Sequence, residues 1–473
     1  MLDPPSALDP PSALDPPSAL DPPSALDPPS ALDPPSALGP LLHLGAASDS
    51  PSAITSSTPS EPVHDKGRAS GLPPGRKAHA KCGKKMRRKR QREKENATIQ
   101  GAAAYKIRSF IASNHPRPTA AAAPVKLQGL PAAKGAWVGR RQPTRQGTYS
   151  LEELVSLGYD TILWNGLDPV VITDNEGRVA AALAGQPKDD RTWDSAVQGM
   201  YAAADQLAHD TRMYERTWDH RRGSYATIAM GVSYGGGQKE PIPLSLSPGV
   251  RKAMQSFTSD PHVNRIVKFI HSCFALYAPR MCRYYCDTMD KLYRRHTNIS
   301  PVFPSSAFPA FNINLGPRVY TNMHVDSANF PAGWCAVLAL GKFDHTQGGH
   351  LILATLKKVI QFPSGTFVRS FALLQRRRPK IIIKGSTIFI PSAVVEHGNV
   401  PVQEHETRMS FTQYAAGSLF RWVHYGFMTE QELAQSQPET HQDIVEDKSK
   451  RWLQSINLFS FLSDLATDRQ LFQ

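Results

Sequence analysis

Thr321-Asn322-Met323-His324-Val325-Asp326-Ser327 sets a histidine and an aspartate two positions apart, shortly before the apolar run Cys335-Ala336-Val337-Leu338-Ala339-Leu340. Side chains alternate along an extended strand, so His324 and Asp326 project from one face and can grip a single cation. A third ligand comes from a distant strand through His397, in Glu396-His397-Gly398-Asn399. Two histidines and one carboxylate on one side of a metal leave positions open for substrate, the arrangement that suits non-haem Fe(II). Arg408 follows eleven positions after His397. The polar run Gln403 to Glu406 reads as a hairpin loop, which puts Arg408 and Ser410 on a neighbouring strand, pointing one way, and Met409 and Phe411 on the opposite face. A guanidinium buried beside a metal pocket needs an anion, and its planar fork fits a carboxylate in a bidentate manner. A 2-oxoacid cosubstrate is the anion expected there.

The H-x-D tripeptide alone is weak, because His441-Gln442-Asp443 matches it too. Context separates the two copies: the first precedes a buried strand, the second lies in a polar tail between Gln437 and Lys450. Taken singly, His324, His397 and Arg408 each read as ordinary core polar residues. Their joint order within one strand-rich segment is what marks a site. Tyr320 and Asn322 share parity with His324 and are expected to line the same pocket, on the cosubstrate side.

Working outward, the N-terminal third does not read as a folded domain. Six copies of Leu-Asp-Pro-Pro-Ser-Ala run from Leu2 to Ala37. Proline at two of every six positions removes backbone donors and disfavours helix, so residues 1–146 are expected to be a disordered tail. The chain carries 54 basic and 41 acidic side chains, net +13, of which residues 1–150 hold 21 and 11. The tail therefore carries the positive character. Its centre, Lys81 to Lys94, includes Lys84, Lys85, Arg87, Arg88, Lys89 and Arg90, dense enough for nuclear import or for a clamp on nucleic-acid phosphates. A nuclear location is expected. No apolar run of signal-peptide or membrane-spanning length is present, and five scattered cysteines fit a reducing compartment better than a disulfide framework. Cys282 and Cys286 sit one helical turn apart with His271 and Cys273 upstream. In an apolar, aromatic helix these read as packing residues before they read as a zinc site.

Regular structure is expected from Tyr149 onward, where Ser150-Leu151-Glu152-Glu153 has the form of a capping box. Asp160 to Trp164, Val170 to Thr173 and Arg178 to Leu183 read as strands, and Trp193 to Arg216 as helix. Tyr234-Gly235-Gly236-Gly237-Gln238 lacks the lysine of a P-loop and is expected to form a loop near the pocket. Asp260-Pro261 starts a helix over Val263 to Tyr277, and Pro279 separates it from Met281 to Arg295. From Phe311 the pattern switches to short β-type runs, as in an antiparallel double-layered barrel. The expected class is α+β: a double-stranded β-helix, or jelly-roll, core with flanking helices. Its parts are residues 147–258 as the first portion of the catalytic region, 259–430 as helical support and barrel, and 431–473 as a C-terminal tail with a helix. In that tail Trp452, Ile456, Phe459 and Leu462 fall at helical spacing and pack on the barrel or on a partner.

Several segments carry a family resemblance. Phe330-Pro331-Ala332-Gly333-Trp334-Cys335-Ala336, Gly348-Gly349-His350-Leu351, Ile390-Pro391-Ser392-Ala393, His397-Gly398-Asn399 and the run from Ser410 to Trp422 resemble the fungal branch of the TET/J-binding-protein dioxygenases, over roughly Tyr149 to Phe427. The resemblance implies Fe(II) held by His324, Asp326 and His397, 2-oxoglutarate held at its far carboxylate by Arg408 with help from Ser410, and O2-dependent oxidation of methylated bases in nucleic acid. It also implies an association with transposable elements. In relatives the turn matching Phe362-Pro363-Ser364-Gly365 runs directly into the strand matching Ser386-Thr387-Ile388. Here residues 366–385, with six positive charges, stand between them. That segment reads as a basic loop touching DNA or, preferably, as an untrimmed intron, because the flanks join so well without it. Two other functions are weighed against base oxidation: hydroxylation of a protein or small molecule by the same barrel, and a catalytically silent, transposon-derived nucleic-acid-binding protein.

Overall fold

The computed structural model describes residues 116–188, 190–215, 217–364 and 385–472. The repeat, the basic run with Lys84, Lys85, Arg87, Arg88, Lys89 and Arg90, and all but the last residue of segment 366–385 lie outside the described residues.

The described chain is a mixed α+β fold built on two sheets. The strands are β1 Thr119–Ala122, β2 Asp160–Ile162, β3 Val170–Thr173, β4 Val179–Gly185, β5 Ala226–Ser233, β6 Ile242–Pro243, β7 Ala310–Leu315, β8 Cys335–Leu340, β9 Leu351–Leu353, β10 Lys358–Ile360, β11 Thr387–Ile390, β12 His397–Asn399 and β13 Met409–Tyr414. The larger sheet has the order β1-β3-β4-β11-β8-β13-β7-β5-β6 and the smaller one β12-β9-β10-β2. Pairing is antiparallel except for β1 with β3 and β10 with β2. From β7 onward the chain passes back and forth between the sheets: β7 and β8 are in the larger, β9 and β10 in the smaller, β11 in the larger, β12 in the smaller and β13 in the larger. The His324 stretch joins the smaller sheet by a bridge to His397 in β12.

The alternation of side chains explains where the core sits. Leu351 and Leu353 of β9 join the main core with Phe389 and Phe411, whereas Ile352 faces the other way and packs with Leu154, Met323 and Val359. That second, smaller core is covered by α1 (Leu151–Ser156), whose capping box is present: Ser150 Oγ accepts from Glu153 N at 3.1 Å and Ser150 N donates to Glu153 Oε2 at 2.7 Å. Helices α2 (Trp193–Asp210), α3 (Pro248–Ser259), α4 (Pro261–Tyr277) and α5 (Pro279–Arg295) form the layer beside the larger sheet. Asp260 caps α4 by accepting the amides of His262 and Val263, as Asp-Pro at a helix start should. Phe311 and Phe411 turn toward this layer, where Phe257 and Phe303 meet them.

Three expectations shift. Ordered structure starts before Tyr149, because β1 pairs with β3 and Trp137 is buried against Phe330. The small alanine-rich strand offered no hydrophobic period to read. The C-terminal part is helical from Thr429, whose hydroxyl and Glu432 form a second capping box for α7 of the chain after α6 (Gly417–His424): α7 is Glu430–Ser436, α8 Pro438–Glu446, α9 Arg451–Ser455 and α10 Leu465–Asp468. Ile456 and Phe459 are buried in the main core and Trp452 donates to Gln128 O, so this end packs on its own fold, broken into short turns rather than one helix. The glycine-rich turn after β5 has Gly235, Gly236 and Gly237 at positive φ, and at Tyr234 it contacts Ser418 and Trp422 of α6. These contacts place it against α6.

Pro363 and Ser386, on either side of residues 365–384, are joined by a hydrogen bond from Ser386 Oγ to Pro363 O of 2.8 Å. The sheets therefore close whatever lies between.

Candidate metal centre

His324 and His397 face each other across one antiparallel bridge, each amide donating to the other's carbonyl at 2.9 Å. Their rings lie 4.4 Å apart. His324 Nε2 stands 3.5 Å from Asp326 Oδ1, and His397 Nε2 3.7 Å from Asp326 Oδ2. The three ligand atoms fall within 4.8 Å of one another. His324 Nδ1 contacts Asn322 O at 2.8 Å and His397 Nδ1 contacts Val395 O at 2.9 Å. A carbonyl oxygen only accepts, so each Nδ1 carries the ring proton and each Nε2 presents a lone pair. Two imidazole lone pairs and a carboxylate thus converge with no proton between them. Separations of 3.5 and 3.7 Å are too long for hydrogen bonds, and Asp326 Oδ1 is buried without one. The donor set fits a divalent cation.

Electrostatics agree with ligands held ready. Burial pushes the Asp326 carboxyl toward its neutral form, but the positive charge of Arg222, 3.4 Å from Oδ1, leads the interactions that outweigh it and hold the group well below the usual carboxylate range. Burial, then the neighbouring His324, lowers His397 to about 4, which keeps it neutral. Arg408 is 3% exposed. Its Nη1 donates to Val319 O at 3.1 Å and reaches Asn399 Oδ1 at 3.5 Å, while Nε is buried without an acceptor. Among the described residues no carboxylate lies within ion-pair distance of it, and burial lowers its pKa to about 10. Ser410 shares its side of the strand: Asn314 Nδ2 donates to Ser410 Oγ at 2.9 Å. Asn399, two residues after His397, links the arginine to the ligand strand by also accepting from Thr321 N at 2.9 Å.

The chain matches no protein-family model and no curated protein. In structure it is similar to NgTET1 in complex with 5mC DNA, at 14% identity and a TM-score of 0.36 over 55% of this chain and 83% of that one. It is also similar to an oxidoreductase of the 2OG-Fe(II) oxygenase family from Burkholderia pseudomallei, at 18% identity and a TM-score of 0.23 over 48% and 89%.

The structure brings His324, Asp326 and His397 together, but the hairpin expected over Gln403 to Glu406 is not formed: β12 pairs with β9 in the smaller sheet, whereas Arg408 leads into β13, which carries Ser410 and pairs with β7 and β8 in the larger sheet. Tyr320 and Asn322 are placed differently from the parity expectation. The Tyr320 hydroxyl donates to Gly147 O and the Asn322 amide to Gln146 Oε1, so both side chains serve the preceding segment, and Asn322 acts on the site through its carbonyl. The second H-x-D falls in α8, where residues two apart diverge around the helix; His441 pairs with Glu430 instead. Sequence reasoning missed Arg222 and Tyr225. Tyr225 OH accepts from Thr321 Oγ1 at 3.3 Å and feels the charges of Arg222, Asp326 and Arg408. Both precede β5, roughly a hundred residues from the ligands, with no local period to reveal them.

His271, Cys282 and Cys286 form a second cluster of ligand atoms within 4.8 Å, all buried. His271 Nδ1 accepts the Ala307 amide at 3.3 Å, which leaves the ring proton on Nε2, so neither nitrogen offers a lone pair to a metal. Burial also pushes the Cys282 thiol well up. These are packing residues. The purified chain should accordingly bind one equivalent of divalent metal by elemental analysis, and Cys282→Ser with Cys286→Ser should leave that number at one. Two equivalents falling to one would restore the zinc reading.

His271 also predicts acid sensitivity. Burial lowers it to about 4, whereas the unfolded chain takes up the proton near 6.5. Between these values the unfolded state binds more protons, so stability is full above about pH 6.5 and falls as pH drops toward 4, by about 3 kcal/mol at most. Thermal melts across this range should show a shallower slope for His271→Asn than for the parent chain.

Proposed function

We propose that this chain is an Fe(II)- and 2-oxoglutarate-dependent dioxygenase that oxidises methylated bases in nucleic acid, 5-methylcytosine in DNA first among them. The observation that carries the oxygenase reading is the convergence of His324 Nε2, His397 Nε2 and the Asp326 carboxylate, together with a buried arginine that pairs with no carboxylate among the described residues. The strand order supports the double-stranded β-helix: β7-β13-β8-β11 in one layer, and the His324 stretch with β12-β9-β10 in the other. The sequence resemblance supports the substrate class.

His324, Asp326 and His397 would hold Fe(II), which supplies the activation of O2 and of the cosubstrate. Everything else in the reading belongs to side chains. The Asn322 and Val395 carbonyls fix both imidazoles in the tautomer that ligates. Arg408 binds the far carboxylate of 2-oxoglutarate through the part of its fork that has no protein partner, and Ser410 lies on the same strand to assist. Arg222 keeps Asp326 ionised and adds a positive charge at the site, which would suit a dianionic cosubstrate. A base within a duplex must be flipped out of the stack to reach such a pocket. The basic run Lys81 to Lys94 serves nuclear import and holds phosphates non-specifically.

The test is incubation of the chain with Fe(II), 2-oxoglutarate and 5-methylcytosine DNA, with nucleosides quantified by mass spectrometry. 5-Hydroxymethylcytosine that appears only with 2-oxoglutarate is the expected result. Succinate without an oxidised base would keep the oxygenase and overturn the substrate; neither product from folded protein would leave a silent nucleic-acid-binding domain.

A further inference from the structure

We propose that the segment from Gly139 to Gly147 is a strap that positions the two metal-ligand strands, with Arg145 as its positioning residue; this rests on His324, Asp326 and His397 being metal ligands. The His324 stretch pairs with β12 along one edge only. Carbonyls alternate in direction along a strand, so those of Met323 and Ser327 point away from β12. The strap satisfies both: Arg145 N donates to Met323 O at 2.9 Å and Gly139 N to Ser327 O at 2.8 Å. The Gln146 side chain and the Gly147 carbonyl take Asn322 and Tyr320. The approach at Gly139 is close, since a Cβ there would lie 2.0 Å from Ala393 O. The strap thus brackets the residues that carry His324 and Asp326.

Arg145 joins the second ligand strand as well. Its guanidinium grips Glu396 in a bidentate ion pair, with Nε 2.7 Å from Oε1 and Nη2 on Oε2. Glu396 immediately precedes His397, and its own backbone is anchored by Thr355 Oγ1 and by the Ala354 amide. Neighbours on a strand face opposite sides, so the pair sits behind the sheet, away from the metal face. One residue therefore holds His324's strand by its backbone and His397's strand by its side chain. The spacing of the two imidazoles depends on that span.

The test uses the full chain with Co(II) as a visible probe for the Fe(II) position. Arg145→Glu and Glu396→Arg singly should each weaken Co(II) binding about tenfold, the lower end of what outer partners of metal ligands contribute. The double swap should recover most of the loss, and Arg145→Lys, which keeps the charge but not the fork, should fall between. A purely structural role would lower melting temperature without moving the affinity of the protein that remains folded. Unchanged Co(II) affinity in either charge reversal, or a double swap no better than the singles, would overturn the role of Arg145 while the parent chain binds normally. A parent chain that binds no Co(II) would instead overturn the metal reading, and this inference with it.

Discussion

His324→Ala and Asp326→Ala are each expected to lower turnover at least about a thousandfold while the protein still folds, because a metal centre contributes several kcal/mol and each 1.36 kcal/mol is a decade in rate. The fold should survive because neither side chain is part of the apolar core, and the bridge that seats His324 is made by its backbone. The two variants should differ in one respect. Loss of His324 removes a neutral ligand, whereas loss of Asp326 also removes the carboxylate facing Arg222, leaving a positive charge beside the two imidazoles. Metal affinity should therefore fall further for Asp326→Ala than for His324→Ala, as measured by titration of the folded variants. Retained activity in both would sink the site assignment.

Arg408 gives the second large effect, and its sign is unusual. A charged guanidinium that is 3% exposed, with no carboxylate in reach among the described residues and Nε unpaired, costs the protein stability. The lowered pKa says the same: burial brings the folded guanidinium down to about 10, below its value in the unfolded chain, so the penalty is present at every pH below the folded value. Arg408→Met, similar in length and apolar, should raise the melting temperature of the ligand-free protein. The same change should weaken 2-oxoglutarate binding by about a hundredfold or more, the usual consequence of losing one partner of a buried charged pair. Metal affinity should stay within a few-fold. A variant that loses stability and keeps its cosubstrate affinity would assign Arg408 to the scaffold.

The parts of this site that could be read in advance are those governed by a short period. His324 and Asp326 share a face because strand side chains alternate every two residues, and the same rule put Ser410 opposite Met409 and Phe411. Asp260-Pro261 and Ser150 to Glu153 could be read because a helix start needs local donors and acceptors. The parity rule failed at Tyr320 and Asn322, since it gives a side and not a partner, and Gln146 and Gly147 took those side chains first. Arg222, Tyr225 and the strap around Arg145 had no periodic signal. They act through tertiary contacts alone: an arginine 104 positions before Asp326 and another 251 positions before Glu396. After Thr429 only the last stretch, from Trp452, reads as helix in the sequence, because few apolar residues line the turns before it, although the capping pair Thr429 and Glu432 is in view.

The hydrogen bond between Ser386 and Pro363 bears on how much the chain can be rebuilt at that point. Both partners are buried and bonded to each other between β10 and β11, so whatever joins them starts and finishes at one place. Closing a chain between two such points costs only a term that grows with the logarithm of its length, about 0.6 kcal/mol for each doubling. Residues 365–384 can then be shortened to a tight turn, or exchanged for a peptide tag or a reporter domain with adjacent termini, without disturbing the register between β10 and β9 or between β11 and β8. The fold carries its own splice point, eleven residues along the chain from His397 of the candidate metal centre and outside the hydrogen-bond ladder that holds it.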